Sequence, residues 1–69
     1  MTREEIKEQI RYLKEREVSE ITNLALPTLR NYRVLGKGPD YLKVGRSVRY
    51  RFDDVIRFME RNRIEARER

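Results

Sequence analysis

The run Gly36-Lys37-Gly38-Pro39 is the strongest punctuation in this chain. A helix does not pass through two glycines and a proline so closely spaced: glycine loosens the backbone, and proline lacks an N–H and clashes with the preceding turn. The segments on either side obey different periods. Before the run, Leu29, Tyr32 and Leu35 recur every three residues, which predicts one face of a helix over 26–35. After it, Leu42 and Val44 alternate with Tyr41 and Lys43, and Val48, Tyr50 and Phe52 alternate with Arg49 and Arg51. That period of two predicts a β-hairpin over 41–51.

The remaining elements follow from local signals. Thr2-Arg3-Glu4-Glu5 is a capping box, and Ile6, Ile10 and Leu13 continue it at helical spacing, which predicts an N-terminal helix over 2–13. The period fails after Leu13, so a break near Lys14 is expected, and Val18 and Ile21 restart the count in a helix over 15–22. Asn23 tolerates left-handed backbone angles and ends it. Leu24 plugs the corner, and Pro27 sits in the first turn of the next helix, where a missing N–H costs little. In the hairpin, Gly45-Arg46-Ser47 separates the strands. The apolar residues are expected on one face, with Lys43, Arg49 and Arg51 on the other and Arg46 at the tip. Asp53 and Asp54 suit the start of a last helix over 53–62, with Val55, Phe58 and Met59 as its buried stripe. Residues 63–69 alternate charges around Ile64 and Ala66 and form either a fraying helix or a disordered tail. Residues 1–62 therefore make one domain.

A chain of 69 residues has room for one small core and buries only roughly 60% of its unfolded surface. It contains no cysteine and no histidine, which excludes disulfides and removes the commonest general base and metal ligand. No nucleotide-binding glycine loop is present, so an enzyme is not expected, nor a cofactor. No apolar run reaches membrane-spanning length and no signal-peptide pattern opens the chain, which predicts a cytoplasmic protein.

The net charge of +5 is unevenly placed. Residues 1–26 carry five basic and six acidic side chains, and residues 53–69 carry five of each. Residues 27–52 carry seven basic side chains against Asp40 alone. An excess confined to the middle third is the footprint of a polyanion partner.

Two helices joined by about three residues suggest a helix-turn-helix, whose second helix enters the major groove of DNA. That helix offers Pro27, Thr28, Arg30, Asn31 and Arg33, followed by Lys37. Arginine can bond guanine bidentately and asparagine can bond adenine the same way. The hairpin offers Lys43, Arg46, Ser47, Arg49 and Arg51 as a wing over the adjacent backbone or minor groove. Each part has a plainer reading: a solvated helix face for Arg30, Asn31 and Arg33, and edge-strand protection for the hairpin cations. Tyr32 and Tyr50 read as core, being in register with apolar neighbours.

The strings Glu17-Val18-Ser19-Glu20, Thr28-Leu29-Arg30-Asn31-Tyr32-Arg33, Gly36-Lys37-Gly38-Pro39, Gly45-Arg46-Ser47-Val48-Arg49-Tyr50-Arg51, Asp54-Val55 and Phe58-Met59 resemble the excisionase and AlpA-like family of small MerR-like winged-helix proteins from phages and other mobile elements. The resemblance covers about residues 13–61 and is most specific from Gly36 through Tyr50. It implies an α+β, mainly helical winged helix-turn-helix with a two-stranded wing, here with an extra N-terminal helix. It also implies Thr28, Arg30 and Arg33 on the recognition helix and Arg46 and Arg49 on the wing as DNA contacts. An excisionase binds and bends attachment-site DNA as several adjacent copies and assists an integrase. The partners implied are therefore double-stranded DNA, an integrase or recombinase, and further copies of the chain, in a bacterial or phage nucleoid.

The sequence departs from the family pattern at several places. Lys14 and Ala25 stand where a hydroxyl would cap each helix, a loss of about 1 kcal/mol apiece. Asn23 replaces a glycine, Tyr32 replaces a tryptophan, and residues 2–12 lie outside the pattern. AlpA-type transcriptional regulation is the alternative function. A module that docks on an integrase or packaging enzyme is the alternative of another class. Ile6 and Ile10 are expected either to pack on Ile56 or to form a protein contact.

Overall fold

The computed structural model describes residue 2 and residues 10–66. The order is β1 (Tyr12–Lys14), α1 (Glu15–Thr22), α2 (Leu26–Leu35), β2 (Leu42–Val44), β3 (Ser47–Arg51) and α3 (Phe52–Arg61). The strands form one antiparallel sheet in the order β1-β3-β2. Helices gathered against one small sheet make a winged helix-turn-helix of the α+β class. None of the described helices is long and apolar enough to cross a membrane.

The helix-turn-helix follows its local signals. Asn23 takes φ 57° and ends α1. The Ser19 hydroxyl donates to the Leu24 carbonyl at 2.6 Å, and the Thr22 hydroxyl accepts from the Leu24 N–H at 3.3 Å, so side chains satisfy the backbone of the turn. Lys14 and Ala25 are indeed the N-cap residues, and neither caps through its side chain. Glu17 covers part of the first loss by accepting the Lys14 N–H at 3.0 Å. The ammonium of Lys14 has no lone pair to return the bond, so only half of a capping box forms. Gly36, at φ 69°, closes α2: its N–H reaches the Arg33 carbonyl, and that of Lys37 reaches the Tyr32 carbonyl at 2.9 Å.

The N-terminal expectation is corrected. Ile10 and Arg11 are not helical, and Tyr12–Lys14 is a strand paired to β3 through Tyr12↔Arg51, Leu13↔Tyr50 and Lys14↔Arg49. The Phe52 N–H extends this ladder to the Arg11 carbonyl at 2.9 Å. The pairing places Leu13 against the core, which a helical continuation would not require. Residues 3–9, including the Glu4-Glu5 half of the capping box and Ile6, lie outside the described residues. The sheet is therefore three-stranded, and the wing is its central strand β3 with the edge strand β2.

The core consists of Leu13, Val18, Leu29, Tyr50 and Val55, all fully buried, with Val48 and Phe52 packed against it. One of these five comes from each of β1, α1, α2, β3 and α3, and α3 also buries Phe58, as expected of its apolar stripe. Leu35 and Met59 were expected inside but are 55% and 42% exposed. Ile56 is also exposed.

The register of the wing overturns a second expectation. Val44 pairs with Ser47, Lys43 with Val48 and Leu42 with Arg49. The turn is thus two residues, Gly45 and Arg46, with Gly45 at φ 61° and no positive φ at Arg46, the pattern of a tight mirror-image turn. Ser47 belongs to the strand. Directly opposed residues share a face, so Lys43 falls with Val48, Tyr50 and Leu13, while Leu42 and Val44 fall with Arg49 and Arg51. Counting Ser47 as a loop residue shifts the register by one and inverts β2.

Because β1 contributes Leu13 to a core of five residues, Leu13→Ala is expected to destabilise the fold by about 2–5 kcal/mol. Val34→Ala, at a position 84% exposed, is expected to stay within about 0.5 kcal/mol. Urea unfolding followed by circular dichroism checks both.

Candidate nucleic-acid interface

The cations expected to read DNA divide into those held by the fold and those left to solvent. Arg30 projects from the second turn of α2 and meets Glu15, the first residue of α1. Its Nη2 donates to Glu15 Oε1 at 2.6 Å, and its Nε lies 3.2 and 3.3 Å from the two carboxylate oxygens. Arg33, one turn on, reaches the same carboxylate at 3.3 Å and donates to the Tyr50 hydroxyl at 3.0 Å. Its guanidinium also lies 5.8 Å from the centre of the Tyr41 ring, and only 20% of the side chain is exposed. Arg33 is therefore enclosed between α2 and the sheet, whereas the Arg30 side chain is 53% exposed.

The rest of the α2 face expected to meet DNA is open. Pro27, Asn31 and Lys37 are exposed, and Thr28 is half-buried. On the wing, Lys43, Arg46 and Ser47 are exposed, while Arg49 and Arg51 are half-buried. Arg49 Nη1 donates to the Val48 carbonyl at 2.8 Å. Arg51 Nε lies 3.1 Å from Asp53 Oδ1, but the angle is too poor for a hydrogen bond, so the contact is ionic only. Asp54 pairs with Arg57 at 3.1 Å. Asp53 and Asp54 thus occupy the first turn of α3 as ion-pair partners, without a side-chain cap at Arg51.

A groove runs between the start of α1 and the wing. Lys14, Arg16, Arg33, Arg46 and Arg49 line it with Glu15, Glu17 and Glu20. Arg16 and Glu15 were not among the residues singled out from the sequence, because the acidic balance of residues 1–26 hides them. Among the described residues, the side chains of Arg16, Lys37, Lys43 and Arg46 make no internal ion pair or hydrogen bond. These four cations and Asn31, together with the exposed Lys14 of the groove, are open to a partner.

The Arg30 guanidinium holds the Glu15 carboxyl below the usual carboxylate range, helped by Arg33 and opposed by partial burial. A lowered folded-state pKa stabilises the protein fully above the unfolded value, near 4.3, and the contribution is lost as pH falls through the folded value. Stability of the wild-type protein is therefore expected to fall as the pH drops below the unfolded value of about 4.3. Glu15→Gln is expected to flatten that slope, and thermal unfolding across a pH series measures it.

No curated protein and no solved structure matches the chain. The helix-turn-helix domain family matches over residues 12–63. That span takes in all three strands, the helix-turn-helix and α3. The chain belongs to this family of helix-turn-helix domains, which supports a DNA-binding role.

Proposed function

We propose that this protein reads double-stranded DNA by laying α2 in the major groove and the β2–β3 wing over the neighbouring backbone. The observation that carries the reading is the arrangement of α2 and the wing: Arg30 and Asn31 on an open helix face, with Arg16 and the tip residue Arg46 along the adjoining groove. Arg30, Asn31 and Thr28 are the base-reading candidates. Pro27 belongs to the first turn of α2, where open backbone N–H groups suit a phosphate. Lys37, Lys43, Arg46, Ser47 and the half-buried Arg49 and Arg51 are the backbone candidates. Arg33 serves α2 from behind. Free cations supply affinity through released counterions, and base edges supply specificity.

The finer proposal is an excisionase, a directionality factor that bends attachment-site DNA for an integrase. Its support is the resemblance from Gly36 through Tyr50 and the family match over residues 12–63.

Selection from random duplexes at two salt concentrations tests both levels. One enriched motif in direct repeats, with bending of a permuted-site fragment, is the result expected of an excisionase. One isolated motif without bending identifies a transcriptional regulator of the AlpA type instead. Absence of any motif, with binding lost at moderate salt, overturns sequence reading and turns attention to a protein partner. Arg46→Ala is expected to weaken specific and random DNA alike and to lower the salt slope by about one.

A further inference from the structure

We infer that Glu15 is a positioning residue that turns Arg30 into a guanine reader; the inference rests on the DNA-binding reading above. A guanidinium has five N–H groups in a rigid plane. Glu15 takes the side-on pair, the Nε–H and one hydrogen of Nη2. The end-on pair, one hydrogen on Nη1 and the outer hydrogen on Nη2, is left without a partner. Two parallel donors in one plane match the N7 and O6 acceptors that guanine presents in the major groove. The carboxylate thus fixes the plane and azimuth of a side chain that is otherwise long and mobile, and less freedom remains to be lost on binding.

The same carboxylate decides what Arg30 binds. A free arginine binds a phosphate at least as readily as a base. Arg30 beside Glu15 forms an almost neutral pair, and a phosphate approaching it would meet the carboxylate charge. A guanine edge is uncharged and meets no such repulsion. Arg33 shares the carboxylate but donates through Nη1 to both Glu15 and Tyr50 and is half-buried, so it is not the reader. Among the cations of this face, Arg30 alone combines exposure with a fixed orientation. It should contribute little to the salt slope, unlike Arg46.

The test measures relative affinity for all four bases at each position of the selected motif, for wild type, Glu15→Gln, Arg30→Ala and the double variant. A preference for guanine at one position is expected to fall roughly tenfold in Glu15→Gln, the scale of one bidentate contact. Arg30→Ala is expected to remove it without changing the salt slope, and to remove little more in the Glu15→Gln background. Affinity for random duplex should stay level or rise in Glu15→Gln. Tyr50→Phe breaks the Arg33 bond in the same network; it is expected to lower the melting temperature and leave the guanine preference intact. A guanine preference that responds to Arg30→Ala but not to Glu15→Gln overturns the role of Glu15 alone. So does an equal gain for every sequence in Glu15→Gln, which would make the carboxylate a mere electrostatic brake. No base preference in the wild type would overturn this inference together with the DNA-reading proposal.

Discussion

Tyr50 is the side chain on which the rest of the structure depends. It sits at the middle of the central strand, fully buried, with Leu13 opposite it on β1. Its ring lies 6.2 Å from that of Tyr41, and its hydroxyl accepts from Arg33 on α2. One residue therefore joins the sheet's apolar layer to the polar contacts of α2. A buried tyrosine needs a partner for its hydroxyl, and here that need ties α2 to the sheet. From Arg33 the connection passes to Glu15, and from Glu15 to Arg30. The core thus fixes Arg33 and with it α2, while Arg30 is held directly by Glu15, independently of the Tyr50 hydroxyl.

The charge distribution also acquires a different meaning in three dimensions. The seven cations of residues 27–52 are not equivalent to one another. Arg30 and Arg33 are paired with Glu15, Arg51 faces Asp53, and Arg49 bonds a backbone carbonyl. Arg16 joins the face from a segment whose net charge is negative. A sum along the sequence counts a carboxylate with its neighbours in the chain. Its electrostatic work is done on the residues it touches, which for Glu15 lie fifteen and eighteen positions away.

Most of the fold was legible in the sequence where the signals are local. The bounds of α1 and α2 follow from Asn23, Pro27 and Gly36, each of which acts on its own few residues of backbone. The β1 strand was not legible, because Ile6, Ile10 and Leu13 keep helical spacing and three residues of strand exist only where β3 is present to pair with them. The hairpin was legible as a hairpin, but its turn was counted one residue too long, since Ser47 is as much a turn former as a strand residue. Of the candidate site, Asn31, Lys37 and Arg46 lie exposed on α2, just after it and at the wing tip, as the sequence pattern places them, whereas Lys43 falls on the opposite face of β2 from the one expected. The enclosure of Arg33 and the clamp on Arg30 come from contacts between elements, for which residue spacing carries no signal.

The two-residue tip of the wing has a consequence for how such a surface can diverge. Side chains on β2 are assigned to a face by parity, and parity is set at Gly45-Arg46. Insertion of a single codon there would exchange the two sides of β2 at once, moving Lys43 into line with Arg49 and Arg51 and turning Leu42 and Val44 inward beside Val48. No residue of the core, α1 or α2 would need to change. Tip length is thus a discrete control on the wing's chemical character, one that substitution of individual side chains could reproduce only in several steps.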